Sequence, residues 1–497
     1  MKKQKKGQKK PKLRRVDRSQ LIMRAVDIED LVAIDDPARA IWEFVGKLDL
    51  SRFHAGIVSE EGEAGRSAWD PRMLISVWIY AYSRGVGSAR EISRRMEYEP
   101  AFQWLCGMEK VNAHTLSDYR VRHGEALREL FTQVLAVLSS EGVLQLERVS
   151  HDGTKIQANA SGKRFRGQKK MKVHLQIARA QLREVEEQER SPEAEPTRER
   201  KRRHHERQVA NLERALKELQ EIEEEDKKTK SRRKKERQVS ETDPESRFMQ
   251  HADGAVRPSY NVQVSVDWPH NFVADVEVTN RPTDQNQLIP AIERLKESFG
   301  KTPKQILADG GYSSHPTIAR LAEEQIDAYL PATNKPLPCR KDRQSPYGRH
   351  RFIYDEARDE YRCPAGVALS RHGASRRDNE TTLLSYWAPV KQCRACEHVS
   401  ECSPHSLTSY RGRQLRRVIE PEASRALRNK METDEAKAIY RQRSKLSEFA
   451  NLWFKSKHKL RQFHVRGLAK VQSEMLWSAL AFNIQTWLNL RAGPLPA

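Results

Sequence analysis

The sequence predicts an α/β protein whose mixed sheet is flanked by helices and preceded by an all-helical N-terminal domain. Apolar residues recur at three- and four-residue spacing in residues 73–80 and 127–138, which is the period of an amphipathic helix. From residue 143 onward the period becomes two, most clearly in residues 260–266 and 272–279, which is typical of strands. Helix and strand patterns then alternate as far as residue 330, and this order indicates an α/β sheet with mixed pairing.

The composition limits the partners and the compartment. The chain has 497 residues, enough for two to four domains, and a formal charge of +22. This excess predicts a polyanionic partner, DNA or RNA, with a membrane surface as the weaker alternative. The longest apolar stretch, residues 74–82, is far shorter than the roughly 18 residues that span a bilayer, so no membrane span is expected. Six cysteines and no secretory signal favour a reducing cytoplasm.

The N-terminal third is predicted to contain a basic arm and a helical domain. Residues 1–20 are expected to form a disordered arm that contacts phosphates, or else a solvated tail. Residues 21–145 are expected to be helical, with capping boxes at Ser88 to Glu91 and Thr115 to Asp118. Arginines follow both, so a DNA-reading helix-turn-helix and a plain helical bundle with a basic face fit equally well.

The catalytic core is predicted in residues 146–167 and 241–338. The first strand carries Asp152, and the fourth ends at Asp309, followed by Gly310 and Gly311, where the backbone can turn sharply. This order is compatible with a ribonuclease H-like fold, in which the two carboxylates meet at the centre of the sheet. Carboxylate oxygen is the ligand that Mg²⁺ and Mn²⁺ prefer, and a pair of such ions can hold both reacting oxygens of a phosphodiester.

Two insertions are expected within this core. Residues 168–240 are rich in charge and carry a heptad-like seam, which fits a helical hairpin that binds DNA, pairs with a second copy, or is only a solvated spacer. Residues 339–410 contain a Cys-x2-Cys pair and two further cysteines, a pattern that predicts a structural Zn²⁺ site, with His398 and His405 as substitute ligands and unliganded cysteines as the alternative. The expected zinc ligands are Cys363, Cys393, Cys396 and Cys402.

The third acidic candidate is Glu448, in the C-terminal helical part at residues 411–497. On a helix Glu448 and Lys455 fall within roughly 20° of each other, and Tyr440 and Arg443 lie within an arc of about 140°. Such a face suits a carboxylate that holds a metal beside groups that hold phosphates, although an amphipathic helix facing water gives the same pattern. Spacing alone does not exclude other acidic residues, namely Asp253, Asp267, Asp275 and Asp284.

A family resemblance narrows this choice. The stretches at residues 151–161, 242–247, 259–267, 307–312 and 440–455 resemble the DDE transposases of bacterial insertion sequences. They are most similar to the family numbered eleven eighty-two, in the IS4/IS5-like group. The region from Arg52 to Val143 also resembles the N-terminal transposase domain of that group, and the late cysteine insertion recurs there. The resemblance therefore covers nearly the whole chain.

The resemblance implies a ribonuclease H-like enzyme that uses Mg²⁺ or Mn²⁺ to cut and rejoin double-stranded DNA at the ends of a mobile element. The metal-binding triad of the family is matched by Asp152, Asp309 and Glu448. Its DNA-contacting residues are matched by Tyr440, Arg443 and Lys455. An enzyme of this family catalyses cleavage and strand transfer at the terminal inverted repeats. A homodimer in the DNA complex and a nucleoid-associated place in the bacterial cytoplasm are expected by analogy. One departure is the segment after Glu448, which lacks the glycine that relatives often carry. A nuclease without strand transfer and a non-catalytic repressor are the alternatives.

Overall fold

The N-terminal region of the protein is a bundle of helices. The structure is a computed structural model, and the residues that it describes are 19, 25–55, 57, 67–187, 195–228, 236–331, 345–376, 382–419 and 421–492. The predicted arm of residues 1–20 lies outside the described residues apart from Ser19. The helices are α1 (Pro37–Val45), α2 (Ser51–His54), α3 (Pro71–Ser83), α4 (Ala89–Arg95), α5 (Pro100–Leu105), α6 (Ala113–Arg122) and α7 (Gly124–Ser140).

Side-chain caps fix where several of these helices begin. The Ser88 hydroxyl accepts the backbone N–H of Glu91 at 3.4 Å, which confirms the predicted start of α4. The prediction at Thr115 is wrong, because the Asn112 side chain caps α6 and Thr115 lies inside the helix. Arg120, one of the arginines considered for DNA reading, is 4% exposed and lies 3.6 Å from the buried Glu474. Arg120 is therefore part of the core and does not face DNA.

A mixed sheet of six strands forms the centre of the molecule, and the period-two prediction for this region is confirmed. Strand β1 (Arg148–Gln157) pairs antiparallel with β5 (Val256–Asp267) and parallel with β7 (Gln305–Ala308). Strand β8 (Asp327–Tyr329) extends the parallel side, and β4 (Arg247–Gln250) and β6 (Val273–Thr279) pair with β5. Helices α10 (Leu288–Phe299) and α11 (His315–Glu323) connect β6, β7 and β8.

A helical pair leaves the sheet after β1. The short strands β2 (Phe165–Arg166) and β3 (Val239–Ser240) pair at its base, and between them lie α8 (Gln168–Glu187) and α9 (Glu195–Lys228). Leu212 and Leu219 of the predicted seam are buried against Met171 and Leu175 of α8. The seam therefore packs within the chain and is not available to a second copy.

A second sheet, antiparallel and five-stranded, follows the core. Its strands are β9 (Ile353–Asp355), β10 (Glu360–Arg362), β11 (Ala368–Arg376), β12 (Thr382–Trp387) and β13 (Gln414–Ile419). Two short helices, α12 (Val390–Arg394) and α13 (Val399–Cys402), lie between β12 and β13. Because β13 pairs with β12, this unit continues past residue 410 to Ile419.

The C-terminal helices return to the central sheet. They are α14 (Glu422–Met431), α15 (Asp434–Tyr440), α16 (Gln442–Ser456) and α17 (Leu468–Ala492). Helix α17 packs against α3, α7 and β6, with Trp477 and Trp78 at 6.4 Å between ring centroids, so it joins the N-terminal bundle to the sheet.

None of the described helices combines the length and apolarity needed to cross a membrane.

Candidate active site

The strand register places Asp152 beside Asp309. His151 of β1 pairs with Ala308, the last residue of β7, so the next residue of each parallel strand is one of the two aspartates. Neighbouring strands lie about 4.8 Å apart, and side chains at matched positions of parallel strands point to the same face. Each carboxylate also accepts a nearby backbone N–H, Asp152 from Gly153 at 2.9 Å and Asp309 from Gly311 at 2.7 Å. The sheet thus brings together the first two predicted acidic residues.

The surroundings of Asp152 disfavour an unshielded negative charge. Burial raises the pKa of Asp152 to about 6, the charge of Arg443 lowers it, and that of Asp309 raises it further. Only 20% of the Asp152 side chain is exposed. A carboxylate in this position is stabilised by any cation that enters the site.

Helix α16 covers Asp152 with one face. An Nη atom of Arg443 lies 3.8 Å from Asp152 Oδ2, and the Asn451 amide donates to the same oxygen at 3.4 Å. Between them, the hydroxyls of Ser447 and Ser150 lie 2.6 Å apart and hold the helix against β1. Positions four apart drift only about 40° around a helix, so these side chains share one face.

Two further predicted DNA-contacting residues lie at the same place. Burial, followed by the charge of Lys155, lowers the pKa of Lys455, while Asp152 opposes this shift. Burial raises the pKa of Tyr440, and both Asp309 and Asp152 are close enough to add to the effect. The site therefore combines two carboxylates with a phenol, a guanidinium and an ammonium group.

Glu448 is placed differently. It is exposed, and it lies one residue beyond Ser447, so its side chain leaves α16 about 100° away from the contact with β1. Within the described ranges, no group of three or more acidic, histidine or cysteine side chains is arranged to hold one metal ion. The structure brings together Asp152, Asp309, Tyr440, Arg443 and Lys455, and it leaves the Glu448 carboxylate in solvent.

Buried polar side chains pack beside the aspartates, and Asp284 is at the centre of this polar layer. Asp284 accepts hydrogen bonds from Asn261 at 2.7 Å, from Gln263 at 2.9 Å and from Lys155 at 3.0 Å. Burial alone would raise its pKa, but the Asn261 hydrogen bond and the Lys155 charge lower it, so Asp284 stays ionised. Any side chain at Gly153 would place a Cβ 2.2 Å from Asp284, which explains the glycine after Asp152.

His151 belongs to this layer and does not act on substrate. It is fully buried, and burial lowers its pKa to about 4, so the ring is neutral at physiological pH. Its ring nitrogens contact Ser265 at 2.9 Å and Gln263 at 3.0 Å, and Tyr312 donates to the same glutamine at 2.7 Å. These contacts fix the strand beside Asp152.

Asp284 and Asn451 are site residues whose place the sequence did not reveal. Asp284 was one of four rival carboxylates, and the other three are engaged elsewhere. Asp253 pairs with Arg257, Asp267 accepts the backbone N–H groups of residues 145 and 146, and Asp275 pairs with Arg294. The only usable signal for Asn451 was its spacing, four residues before Lys455 and eight after Arg443 on one helix.

The four late cysteines form a second cluster, away from the aspartates. Cys363, Cys393, Cys396 and Cys402 line one small cavity of about 30 Å³ together with His398, whereas His405 does not line it. Backbone N–H groups point at two of the sulfurs, from Val367 to Cys363 at 3.2 Å and from Arg413 to Cys393 at 3.4 Å. Burial raises the pKa of Cys402, and the other three thiols add to this. All four cysteines are unbridged.

Comparison with known proteins agrees with this picture of a DDE-type core. Residues 362–488 match the family model described as Transposase DDE domain, a stretch that includes Glu448 and the cysteine cluster but begins after Asp152 and Asp309. Residues 26–122 match the model described as Transposase domain (DUF772), which corresponds to helices α1–α6. The two matches support a DDE transposase with a DNA-cleaving activity. Searches of curated proteins and of solved structures gave no significant match.

Proposed function

We propose that the protein is the transposase of a bacterial insertion sequence, which binds the terminal inverted repeats and catalyses metal-dependent strand cleavage and strand transfer. The observation that carries this proposal is the juxtaposition of Asp152 and Asp309 at matched ends of parallel strands, under a helix that presents Arg443 and Lys455. The family numbered eleven eighty-two, in the IS4/IS5-like group, is the proposed relative.

The proposed catalytic core is ribonuclease H-like and consists of residues 146–167, 241–338 and the C-terminal part from residue 421. Support comes from a strand order in which an antiparallel set is extended by two parallel strands through α10 and α11. The helical pair at 168–240 and the cysteine-containing unit, expected at 339–410 and extended to Ile419 by β13, are then insertions into this core.

The residues around Asp152 fit a divalent cation. Asp152 and Asp309 supply carboxylate oxygens. The Asn451 amide, whose nitrogen contacts Asp152, has a buried Oδ1 without a hydrogen-bond partner. Carboxylate and carbonyl oxygens suit Mg²⁺ and Mn²⁺. Glu448 is the proposed third acidic ligand on the strength of the family resemblance alone. Its side chain lies roughly 60° around α16 from Asn451 and would have to turn from solvent to reach the ion. When bound, such ions would lower the pKa of the attacking water and stabilise the leaving 3′ oxygen.

The chain's own cations have a separate task, which is to hold the phosphodiester against the carboxylates. Arg443 is well suited to this because a guanidinium can donate two parallel hydrogen bonds to one phosphate. Lys455 is partly desolvated, so its charge acts at low local dielectric. Tyr440 is placed to donate from its hydroxyl beside Arg443, whose guanidinium carbon lies 5.8 Å from the phenol ring centre. After cleavage, the same groups would orient the freed 3′-hydroxyl toward the target strand.

The cysteine cluster is proposed to hold a structural Zn²⁺. The four thiols line one cavity, and although their present positions do not form a metal-holding group, four cysteines are the ligand types that suit structural zinc. The N–H groups of Val367 and Arg413 would stabilise the thiolate charges. Zinc bound there would tie β10 and β11 to helices α12 and α13. Its role is to stabilise this unit and not to participate in cleavage.

Cleavage of a labelled duplex tests the proposal. The substrate carries the inverted repeat that flanks the coding sequence, and wild type, Asp309→Asn and the exposed control Asp118→Asn are compared in magnesium. We expect nicking at the element boundary by wild type and the control but not by Asp309→Asn. Cleavage without any preference for the repeat would favour a nuclease, and tight binding without cleavage by any of the three would favour a repressor.

A homodimer in the DNA complex is proposed because excision joins two ends, and the nucleoid of the bacterial cytoplasm is the proposed location. Sedimentation of the protein with and without the repeat duplex tests the first point, with two copies expected only when DNA is bound.

A further inference from the structure

We infer that a line of cations leads away from the active site and holds the backbone of duplex DNA beyond the cleaved phosphate. This inference rests on the proposed function and adds to it a binding surface. We name this surface the basic track, and its residues are Lys459, Arg461, Arg466, Lys470, Arg207 and Arg214.

The near part of the basic track is attached to the end of β1. After α16, the chain runs beside β1, because the Gln157 N–H donates to Arg461 O at 3.1 Å and the Phe463 N–H donates to Gln157 O at 2.9 Å. Lys459 and Arg461 line a groove of about 360 Å³ there, together with Asn159. The loop thus continues the strand that carries Asp152, and its first track residue, Lys459, follows Lys455 by four residues.

The far part lies in a groove of about 700 Å³ between α9 and the start of α17. Arg466 joins the two parts, since its Nε donates to Asn159 O at 2.8 Å. Arg207 and Lys470 are exposed, and they form no ion pair with any residue in the described part of the chain. Arg214 completes the set from α9.

Cations outnumber acidic residues in the far groove, which is lined by Arg207, Arg214, Lys217, Arg466 and Lys470 and by Glu218, Glu221, Asp243 and Glu245. Glu218 is neutralised by Arg247 from outside the groove, and Glu221 lies 3.8 Å from Lys217. The excess charge of the groove is therefore positive, which suits phosphates.

The motif at residues 242–247 holds the turn that carries part of the basic track. One oxygen of the buried Asp243 accepts both the Tyr260 hydroxyl at 2.7 Å and the Gly467 N–H at 3.0 Å. Gly467 has φ of +87°, a conformation that favours glycine. Asp243 is thus a positioning residue that fixes the turn between Arg466 and Lys470.

Duplex DNA is the partner that the dimensions favour. Five residues separate Asp152 from Gln157, the last residue of β1 and the one bonded to Arg461, which is about 17 Å at roughly 3.3 Å per residue and the length of about five base pairs. A surface for single strands would present aromatic rings for base stacking, but Phe463 in the near groove is 1% exposed, and the His464 ring there is held by Glu474 at 2.7 Å. Cations without stacking rings are suited to a duplex backbone.

The test compares Arg207→Ala/Lys470→Ala with the control Lys47→Ala/Lys296→Ala, which removes two exposed lysines outside the track. Affinity for the repeat duplex is measured over a range of salt concentrations, and a hydroxyl-radical footprint is recorded. We expect the slope of log K against log salt to fall by about 1.8 in the track variant, since each phosphate contact contributes about 0.9. Its footprint should lose protection more than about five base pairs from the cut, because the far groove lies beyond the Gln157 end of β1. The control should match wild type.

A second variant, Arg461→Ala, separates the two parts of the track and should weaken protection closer to the cut. If the wild type binds and cuts the duplex but both track variants keep its salt slope and footprint, the basic track is wrong and the proposed function survives. If the wild type neither binds nor cuts the duplex, the proposed function fails and the track fails with it.

Discussion

The two predicted metal sites of this chain are built in opposite ways. The aspartate site is assembled from strands and a helix far apart in sequence, and it mixes negative groups with Arg443 and Lys455. The cysteine cluster comes from one contiguous unit, and its half-buried sulfurs line a small cavity, with backbone N–H donors to two of them. A site that must admit a charged phosphodiester needs an open side and fixed cations, whereas a structural site needs closure. The contrast indicates chemistry at the first site and stability at the second.

The largest effect should come from Asp152→Asn, which keeps the shape of the side chain but removes its charge. We expect cleavage to fall by at least about 10³-fold, or roughly 4 kcal/mol in activation free energy, because a carboxylate ligand is lost. Zinc content should not change. Single-turnover cleavage and elemental analysis of the same sample check both points, and a variant that lost zinc together with activity would break the separation of the two sites.

The reciprocal change is Cys402→Ser. Zinc should be lost, and the five-stranded sheet should be destabilised by about 4 kcal/mol or more, as is typical when a structural metal is removed. Thermal unfolding followed with and without a chelator measures this. The matched control is Cys106→Ser, at a buried cysteine in the N-terminal bundle, which keeps all four proposed ligands, so a chelator should lower its melting temperature as it does that of wild type, whereas Cys402→Ser should not respond to the chelator. Equal melting of Cys402→Ser and wild type in zinc would show that the cluster holds no metal.

A third prediction concerns the pH dependence of stability without metal. Burial raises the pKa of Asp152 to about 6, so folding favours the protonated acid, and its stabilisation is lost as pH rises through that value. Asp152→Asn does not titrate. In a chelating buffer, the free energy of unfolding of the variant, relative to that of wild type, should therefore rise by up to about 3 kcal/mol from pH 4 to pH 8. Urea unfolding at the two pH values tests this. If the variant were more stable relative to wild type at pH 4 than at pH 8, the predicted direction would be wrong.

The smallest effect is expected for Asn451→Ala. Its amide donates to Asp152, and its oxygen has no partner, so its loss should weaken Mn²⁺ binding about tenfold, or about 1.4 kcal/mol. Titration followed by the electron paramagnetic resonance of Mn²⁺ measures this without DNA. Asn451→Asp should bind at least as tightly as wild type, and the exposed change Asn489→Ala is the control. An unchanged affinity in Asn451→Ala would remove this residue from the site.

The sequence predicted the core well where local pattern decides structure. Period-two alternation predicted β5 and β6, and the Gly310–Gly311 pair marked the end of β7, so the meeting of Asp152 and Asp309 followed from strand order. Both residues lie on strands whose neighbours fix their direction. The five-stranded sheet was not predicted, because β9 and β10 have only three residues each and β11 and β13 carry several arginines or other polar residues, which left the apolar alternation of β12 isolated.

The helix side of the site was harder to predict because it depends on how α16 is rotated. Helical spacing placed Glu448 and Lys455 on one face, but packing of Ser447 on Ser150 turns Arg443 and Asn451 toward Asp152. A rotation of this kind is set by tertiary contacts and leaves no mark in the spacing. The role of Asp284 at the site was not predicted for a similar reason, since its partners Asn261 and Gln263 lie on a strand that precedes it by about twenty residues.

The most direct test of metal-dependent chemistry at Asp152 and Asp309 is cleavage of a repeat duplex with sulfur in place of the leaving 3′ oxygen. If a divalent ion contacts that atom, wild type should fail to cut this substrate in magnesium and regain cleavage in the more thiophilic manganese, whereas Asp309→Asn should cut in neither. Equal loss of cleavage in both metals, or cleavage by Asp309→Asn, would contradict the account.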